Sequence, residues 1–326
     1  MKLKLRARQH SWALREPFVI SRGTQTDADV ILVQIEGGGR IGHGEAMGVD
    51  YHGETTQGLL AQIEAARPAI EAGIDRRELL TLLPNGGARN AIDAALWDLE
   101  AKLSGISVWQ RAGIAAKPVA TNVTIGIRSI EASAQRALEL ADHPWIKVKV
   151  AADRIVATVE AVRAAAPRSH LVVDANQAWT LATLREVTPD LLRLKVDLIE
   201  QPVRVGTEEA LEGYQSPIPL CADESLDEPS DLAKLVGRFQ FVNIKLDKTG
   251  GLTAALDLAD QAQAAGLKLM VGCMLGSSLA MAPGMVLAQR CQVVDLDGPL
   301  LQSEDCANGI VYERGTMMPF SSALWG

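Results

Sequence analysis

The chain has 326 residues, which exceeds a typical single domain and suits a barrel of about 250 residues joined to a smaller domain. With 48% hydrophobic and 22% charged residues, it has the composition of a globular protein and not of a disordered one. The net charge of −8 and the absence of basic runs argue against nucleic acid or an acidic membrane surface as a partner, so a small molecule is expected.

The N-terminal segment MKLKLRARQHSWALREPF carries charges throughout and lacks the apolar core of a secretory signal, so the expected compartment is the cytoplasm. Residues 269–288 run without a formal charge for about the length of a membrane span. Their glycines, serines and proline favour a strand, a turn and a buried helix instead. The four cysteines show no CxxC pairing and are predicted to be reduced core thiols.

Residues 1–115 are predicted to form an α+β module. Strands are expected near residues 3–13, at 30–36 and in the segment GHGEA, and together they indicate a meander. Helical patterns follow at residues 54–73 and 86–104, and Gly105 is placed to end the second helix.

From about residue 116 to 299, short β-rich runs alternate with amphipathic helical patterns at a spacing of about 22 to 27 residues. This alternation is typical of a closed parallel (β/α) barrel. The tail, residues 300–326, is expected to join the first module. The eight predicted strands lie at 119–125, 145–150, 170–175, 196–200, 218–223, 241–246, 267–272 and 293–297.

Several predicted barrel strands end on acidic residues, and the carboxyl ends of barrel strands meet at one mouth. Asp174, Glu200 and Asp223 end three consecutive strands, so their carboxylates can converge on one hard divalent cation. Magnesium suits such oxygen ligands best. A single acid of this kind is more commonly a solvated residue at the start of a loop, but three in succession, with lysines on both sides, favour a metal site.

Lys149 and Lys245 end the second and sixth strands, on either side of the three acids. A substrate held by the metal would have an amine on each face, which is the arrangement of a two-base epimerisation. A lysine must be neutral to act as a base, so its pKa must fall from about 10.4 to roughly 7 or 8. The alternation in KVK puts Lys147 on the same side as Lys149, where its charge and that of the cation could lower this pKa.

Asp295 and Asp297 share one side of the eighth strand by the same alternation. An uncompensated acid there would attract a substrate cation. The alternative is an ion pair with a lysine or arginine of the barrel, and the sequence leaves both interpretations open.

With this ring of residues assembled, the sequence resembles the enolase superfamily, in its muconate lactonizing enzyme subgroup, over essentially the whole chain. The motifs are IKVKV, VVDANQAW, IEQPV, CADES and VNIKLDKTGG, in this order and at barrel spacing. The segments PFVISRGT, GGARNAIDAALWDLEAKLSG, LMVGCML and DLDGP are similar to those of the L-Ala-D/L-Glu epimerases. The resemblance implies a capping domain over a (β/α)7β barrel, Mg²⁺, and 1,1-proton transfer at the C-terminal residue of a dipeptide such as Ala-Glu.

The resemblance also implies residue roles. The ligands of Mg²⁺ would be Asp174, Glu200 and Asp223, and the acid/base pair would be Lys149 and Lys245, supported by Lys147. Asp297 would anchor the dipeptide ammonium, and Thr124 and Arg22 would contact the substrate. Gln25 stands where some relatives carry an arginine for the glutamate side chain, which leaves the side-chain preference open.

Three alternatives remain open from the sequence. Within the superfamily, an N-acylamino acid racemase or an o-succinylbenzoate synthase would act on anions without a free ammonium, against which Asp297 argues. A barrel lysine could instead form a Schiff base, as in an aldolase. A catalytically silent binding protein is the third alternative, although binding an anion does not require bases on both faces. The sequence leaves open whether the chain forms a homo-oligomer.

Overall fold

A computed structural model describes residues 2–20 and 23–326. The chain begins with an antiparallel sheet whose strand order follows the sequence, so the predicted meander is confirmed. The first strand continues past residue 13 because its ladder with the second strand resumes after a register shift between Ala13 and Phe18. The three strands are β1 (Lys4–Ile20), β2 (Gly23–Gly37) and β3 (Arg40–Met47).

Four helices complete this first module: α1 (Thr56–Ala72), α2 (Arg76–Leu82), α3 (Gly87–Ser104) and α4 (Val108–Arg111), with a 3-10 turn at Asp50–His52. Helix α2 was not predicted, because seven residues are too few to show a helical period; a capping box between Asp75 and Glu78 begins it. Gly105 ends α3 in the left-handed conformation, as predicted. Helix α3 packs closely on β3, since a Cβ at Gly42 or Gly44 would overlap its backbone.

The second module is a sheet of eight parallel strands in sequential order, surrounded by helices, so the predicted (β/α)7β barrel with an N-terminal cap is confirmed. A short strand, β4 (Val119–Ala120), precedes it. The barrel strands are β5 (Asn122–Ile125), β6 (Trp145–Lys149), β7 (His170–Asp174), β8 (Leu198–Glu200), β9 (Leu220–Ala222), β10 (Phe241–Lys245), β11 (Lys268–Gly272) and β12 (Val293–Asp295).

Helices follow most of these strands, and short 3-10 turns at Glu208–Leu211 and Pro229–Asp231 lie near β9. The helices are α5 (Ile130–Glu139), α6 (Ile155–Ala165), α7 (Leu181–Arg193), α8 (Leu232–Leu235), α9 (Leu246–Thr249), α10 (Leu252–Ala264), α11 (Ser278–Ala288) and α12 (Gly298–Leu301).

The strand predicted over residues 119–125 is divided into two. Strand β4 pairs with a hairpin of the tail, β13 (Tyr312–Glu313) and β14 (Thr316–Met317), and β5 pairs with β6 in the barrel. Thr121 lies between them and accepts a hydrogen bond from the Leu296 amide at 2.9 Å. This bond links the residue before the first barrel strand to the residue after the last one.

The end of the tail contacts the cap as well as the barrel. The Trp325 indole donates to the Ala94 carbonyl of α3 at 3.0 Å, and the Gly326 amide donates to Asp98 at 2.6 Å. We propose the domain division at about residue 115, with residues 300–326 joining the cap.

Residues 269–288 form most of β11, a turn and the buried helix α11, as predicted. Within the described ranges, no helix has the length and apolar character needed to cross a membrane. The four cysteines are unpaired thiols.

Candidate active site

The carboxyl ends of the barrel strands bring the predicted lysines and acids to one mouth. Lys149, Asp174 and Glu200 are the last residues of β6, β7 and β8 and are aligned across the sheet. Lys245 ends β10, and Asp223 follows β9 directly. The three acids are at most 1% exposed. Three carboxylates so deeply buried require nearby cations.

Lys147 lies among three carboxylates. Its ammonium is 2.7 Å from Glu200 Oε2, 2.9 Å from Asp295 Oδ2 and 3.2 Å from Asp174 Oδ2. Burial alone would lower the pKa of Lys147, but the charges of Asp295, Glu200 and Asp174 hold it well above its ordinary value. These three carboxylates therefore favour the charged form of Lys147 at the centre of the site.

The structure thus pairs Asp295 with a barrel lysine, which is the second of the two interpretations that the sequence left open. Its other oxygen, Oδ1, is buried and has no hydrogen-bond partner among the described residues. A direct role of Asp295 in substrate binding stays a prediction.

Lys149 donates to two acceptors at the carboxyl end of β7. Its ammonium is 2.8 Å from Asp174 Oδ2 and 2.8 Å from Asn176 Oδ1. Asn176 has a φ of 41°, a left-handed conformation that is uncommon for a side-chain-bearing residue and typical of functional sites. The analysis of the sequence missed Asn176, although its place two residues after Asp174 in VVDANQAW was a usable signal.

Lys245 faces the opposite side of the acidic group, where it donates to Asp223 Oδ2 at 2.7 Å. Gly272 on the neighbouring strand β11 gives it room, because a Cβ there would approach Asn243 to 2.7 Å and Lys245 Cε to 3.0 Å. The Asn243 amide in turn donates to Glu200 Oε1 at 2.9 Å. Asn243 was also missed, although strand alternation puts it on the same side as Lys245.

The three acids differ in how strongly the lysines compensate their burial. Burial raises the pKa of each, but Lys149 and Lys147 hold the pKa of Asp174 below its ordinary value, and Lys245 and Lys248 do the same for Asp223. Burial dominates at Glu200, whose pKa rises to about 8 despite the charge of Lys147. Another cation near Glu200 would favour its ionised form.

The donor set fits magnesium in its chemistry: three carboxylates from adjacent strand ends, all buried and without sulfur or nitrogen ligands. In residues 2–20 and 23–326, no three acidic, histidine or cysteine side chains are grouped closely enough to coordinate one metal ion. The hydrogen bonds give the reason, since lysine ammonium groups hold oxygens of all three acids.

Asp297 lies beyond the eighth strand, not at its end as predicted. Strand β12 ends at Asp295, and Asp297 precedes helix α12. Its Oδ2 accepts a hydrogen bond from the backbone amide of Thr124 at 2.7 Å. Burial, and then the charge of Asp295, raise the pKa of Asp297 to about 6. Thr124 and Asp297 both line the cavity at the mouth.

The cap covers this cavity with a set of residues that the sequence analysis identified only in part. Arg22 lies outside the described residues. Gln25 does line the cavity, as do four further cap residues: Phe18, Met47, Gly48 and Asp50. Next to them, His52 contacts Asp227 of the barrel at 3.1 Å, so the cap loop is joined to the barrel mouth.

Two family descriptions match the chain. Residues 2–113 match the N-terminal domain of the mandelate racemase / muconate lactonizing enzyme family, and residues 129–318 match the enolase C-terminal domain-like family. Together these ranges cover most of the chain.

Two curated relatives are similar in sequence. An N-acetyl-D-glutamate racemase of Pseudoalteromonas sp is 48% identical over 252 residues, which are 76% of this chain and 79% of that protein. The L-Ala-D/L-Glu epimerase of Escherichia coli K12 is 39% identical over 312 residues, 95% of this chain and 97% of that protein.

Solved structures agree with these matches. An enolase family member from Agrobacterium tumefaciens, with homology to dipeptide epimerases and with L-Ala-L-Glu bound, superposes with a TM-score of 0.96 at 41% identity, covering 99% of this chain and 100% of that chain. The dipeptide epimerase of Enterococcus faecalis V583, complexed with Mg and L-Leu-L-Tyr, gives a TM-score of 0.92 at 30% identity, covering 98% and 97%.

Proposed function

Because the chain belongs to the enolase superfamily, in its mandelate racemase / muconate lactonizing enzyme branch, we propose that it is a magnesium-dependent dipeptide epimerase. The enzyme is an isomerase that inverts the α-carbon of the C-terminal residue by 1,1-proton transfer. The relative and the structures that support this activity are an L-Ala-D/L-Glu epimerase and two proteins with bound dipeptides.

One observation carries the proposal: two lysines lie at opposite sides of the buried acids. Lys149 is held by Asp174 at 2.8 Å, and Lys245 is held by Asp223 at 2.7 Å. Between them lies Glu200 on β8. A two-base epimerisation needs one amine on each face of the substrate carbon, and the position of the two lysines supports such a mechanism.

Asp174, Glu200 and Asp223 would hold Mg²⁺. When bound, the ion stabilises the negative charge that develops on the substrate carboxylate as the α-proton leaves. The ammonium groups of four lysines now contact oxygens of these acids: Lys147, Lys149, Lys245 and Lys248. When Lys149 and Lys245 release the acids to act on the substrate, Mg²⁺ would supply the positive charge that the buried carboxylates then lack.

The proton itself is moved by the lysines. In one direction Lys149 removes the α-proton and Lys245 delivers a proton to the opposite face; in the other direction the roles are exchanged. Each lysine must be released from its carboxylate and neutral before it can accept a proton. Lys147 stays charged because three carboxylates surround it, so it supports the site without acting as a base.

Residues of the cap and of the segment after the last barrel strand would recognise the substrate. Asp297, beside Thr124, would accept hydrogen bonds from the free ammonium of the N-terminal residue. Gln25, which lines the cavity from the cap, would donate its amide to the side-chain carboxylate of a C-terminal glutamate. Both curated relatives described above act on glutamate compounds, which supports glutamate as the epimerised residue.

A second candidate is racemisation of an N-acylated glutamate. It is favoured by the relative at 48% identity, which is an N-acetyl-D-glutamate racemase. The proton chemistry would be the same, because only the group at the amino end differs. Asp297 is the residue that separates the two candidates, since an N-acetyl group carries no charge for it to meet.

The experiment is a substrate comparison in deuterated water, with L-Ala-L-Glu, L-Ala-L-Leu and N-acetyl-glutamate. Epimerisation with α-deuteration is followed by mass spectrometry and chiral separation. The dipeptide assignment expects the highest kcat/KM for L-Ala-L-Glu. A higher kcat/KM for N-acetyl-glutamate would replace it by the racemase, and a higher value for L-Ala-L-Leu would overturn only the role of Gln25.

A further inference from the structure

Lys248 is a buried lysine that takes no part in the proposed proton transfer. It is 1% exposed and lies in the short helix α9, three residues after Lys245. Its ammonium donates to Asp223 Oδ1 at 2.9 Å, to the Leu226 carbonyl at 2.8 Å and to the Asp223 carbonyl. All three donors of the ammonium group are therefore engaged.

The two lysines divide the carboxylate of Asp223 between them. Lys248 takes Oδ1 and Lys245 takes Oδ2, the latter at 2.7 Å. Lys248 is also tied to two backbone carbonyls of the segment 223–226, so its position does not depend on what contacts Oδ2. For Lys245, by contrast, the described part of the chain provides one hydrogen bond, to Oδ2. Of the two lysines, Lys245 is therefore the one that can move away from Asp223.

We propose that Lys248 is a positioning residue for the metal site: it holds Asp223 through Oδ1 and the main chain and so reserves Oδ2 for Mg²⁺. Asp223 would then be a ligand through one oxygen. This inference rests on the proposed function, because it takes Asp223 as a ligand of the ion. Partners of metal ligands usually change metal affinity by about 10- to 100-fold when they are removed.

The direction of the effect separates positioning from simple charge. Removing a positive charge close to a cation site would by itself strengthen Mg²⁺ binding, since like charges repel. Losing the hydrogen bond from Lys248 to Asp223 would weaken Mg²⁺ binding, because the carboxylate could then rotate and its buried oxygen would lack a donor. Weaker binding is therefore the specific signature of positioning.

The test is titration of Mg²⁺ into the substrate-free protein by isothermal calorimetry. The variants are Lys248→Met, which keeps the length of the side chain without charge or donors, and Lys248→Gln, a milder change that keeps an amide donor. Thermal melting shows which variants are folded. We expect the Kd for Mg²⁺ to rise by about 10- to 100-fold in Lys248→Met and by less in Lys248→Gln.

Arg89→Met is the matched control. Arg89 is also a buried cation, and its guanidinium donates to the carbonyls of Thr249 and Gly250 at the end of α9 without contacting Asp223. We expect its Kd for Mg²⁺ to stay within about threefold of wild type, even if the melting temperature falls.

Two results would overturn the inference: an unchanged or tighter Kd for Mg²⁺ in the folded Lys248 variants, or an equal loss of affinity in Arg89→Met, which would mean that any disturbance of α9 weakens Mg²⁺ binding. Should Lys248→Met not fold, Lys248→Gln is judged by the same criterion. Failure of the wild-type protein to bind Mg²⁺ would instead refute the metal site of the proposed function.

Discussion

Asp297 is hydrogen-bonded to Thr124 across the closure of the barrel: its Oδ2 accepts from the Thr124 backbone amide at 2.7 Å. A residue that follows the last barrel strand is thereby held against the first. The bond uses one oxygen of a buried carboxylate at the cavity. This arrangement leaves the acid able to accept hydrogen bonds from a second, charged partner, which we take to be the substrate ammonium.

Replacing Asp297 with Asn should therefore reduce kcat/KM for L-Ala-L-Glu by roughly 10- to 150-fold, because a charge-assisted hydrogen bond contributes about 1.5 to 3 kcal/mol. N-acetyl-glutamate serves as the control, since it offers no ammonium and should be affected much less. Steady-state kinetics with both substrates checks this. An equal loss for the two would mean that Asp297 supports the site only structurally.

The pH dependence follows from the same residue. The pKa of Asp297 is raised to about 6 by burial and by Asp295, so the carboxylate is charged above that pH and neutral below it. The ratio of kcat/KM for L-Ala-L-Glu to that for N-acetyl-glutamate should fall as the pH drops from 7 to 5, by up to tenfold per pH unit below about 6. Kinetics at each pH measure this ratio. A ratio that does not change with pH, or that falls equally in Asp297→Asn, would show that protonation of Asp297 is not the cause.

Metal removal should abolish turnover, and Mg²⁺ should restore it. Glu200→Gln should lower kcat by at least about two orders of magnitude, because the ion that stabilises the developing charge is bound less well. Activity is measured after chelation and after titration with Mg²⁺. Near-normal activity of the metal-free protein would refute the metal assignment.

The two lysines should act on opposite stereoisomers. Lys245→Ala and Lys149→Ala should each block epimerisation in both directions, while each variant still exchanges the α-proton of the one isomer that faces its remaining lysine. Deuterium uptake into L-Ala-L-Glu and L-Ala-D-Glu, followed by NMR, distinguishes the two. Equal exchange of both isomers in either variant would contradict a two-base site.

Glu45 of the cap contacts Ser277 of the barrel. Glu45 of β3 accepts hydrogen bonds from the Ser277 amide at 2.7 Å and the Trp12 indole at 3.2 Å, and burial raises its pKa to about 7. The folded protein thus holds a proton that the unfolded chain releases near its ordinary value of 4.5. The stability that Glu45 contributes is full below that value and is lost as the pH rises through about 7.

Glu45→Gln mimics the protonated acid, because its amide can donate to the Ser277 hydroxyl while its oxygen keeps the other two bonds. The melting temperature of Glu45→Gln minus that of wild type should increase by several degrees from pH 5 to pH 8. Thermal melts of both proteins across this range measure the difference. Parallel curves would show that Glu45 is not the titrating group.

Much of the site could be predicted because strand ends are encoded locally. Asp174, Glu200 and Lys245 each follow a short β-rich run, and in a (β/α) barrel every such end points to the same mouth. Asn176 and Asn243 carried similar local signals, two residues from Asp174 and from Lys245. No comparable signal marked Lys248, because a buried charge on a four-residue helix has no periodicity to reveal it.

The sequence by itself determined the order of the elements and which charged residues stand at the strand ends, since both depend on local hydrophobic patterns and turns. Only the tertiary structure decided which charges meet. Lys147 and Asp295 are 148 residues apart in the chain, and Asp297 reaches Thr124 over 173 residues. Such pairs form because the last strand packs against the first and water is excluded, so each buried charge takes the partner that the barrel places beside it.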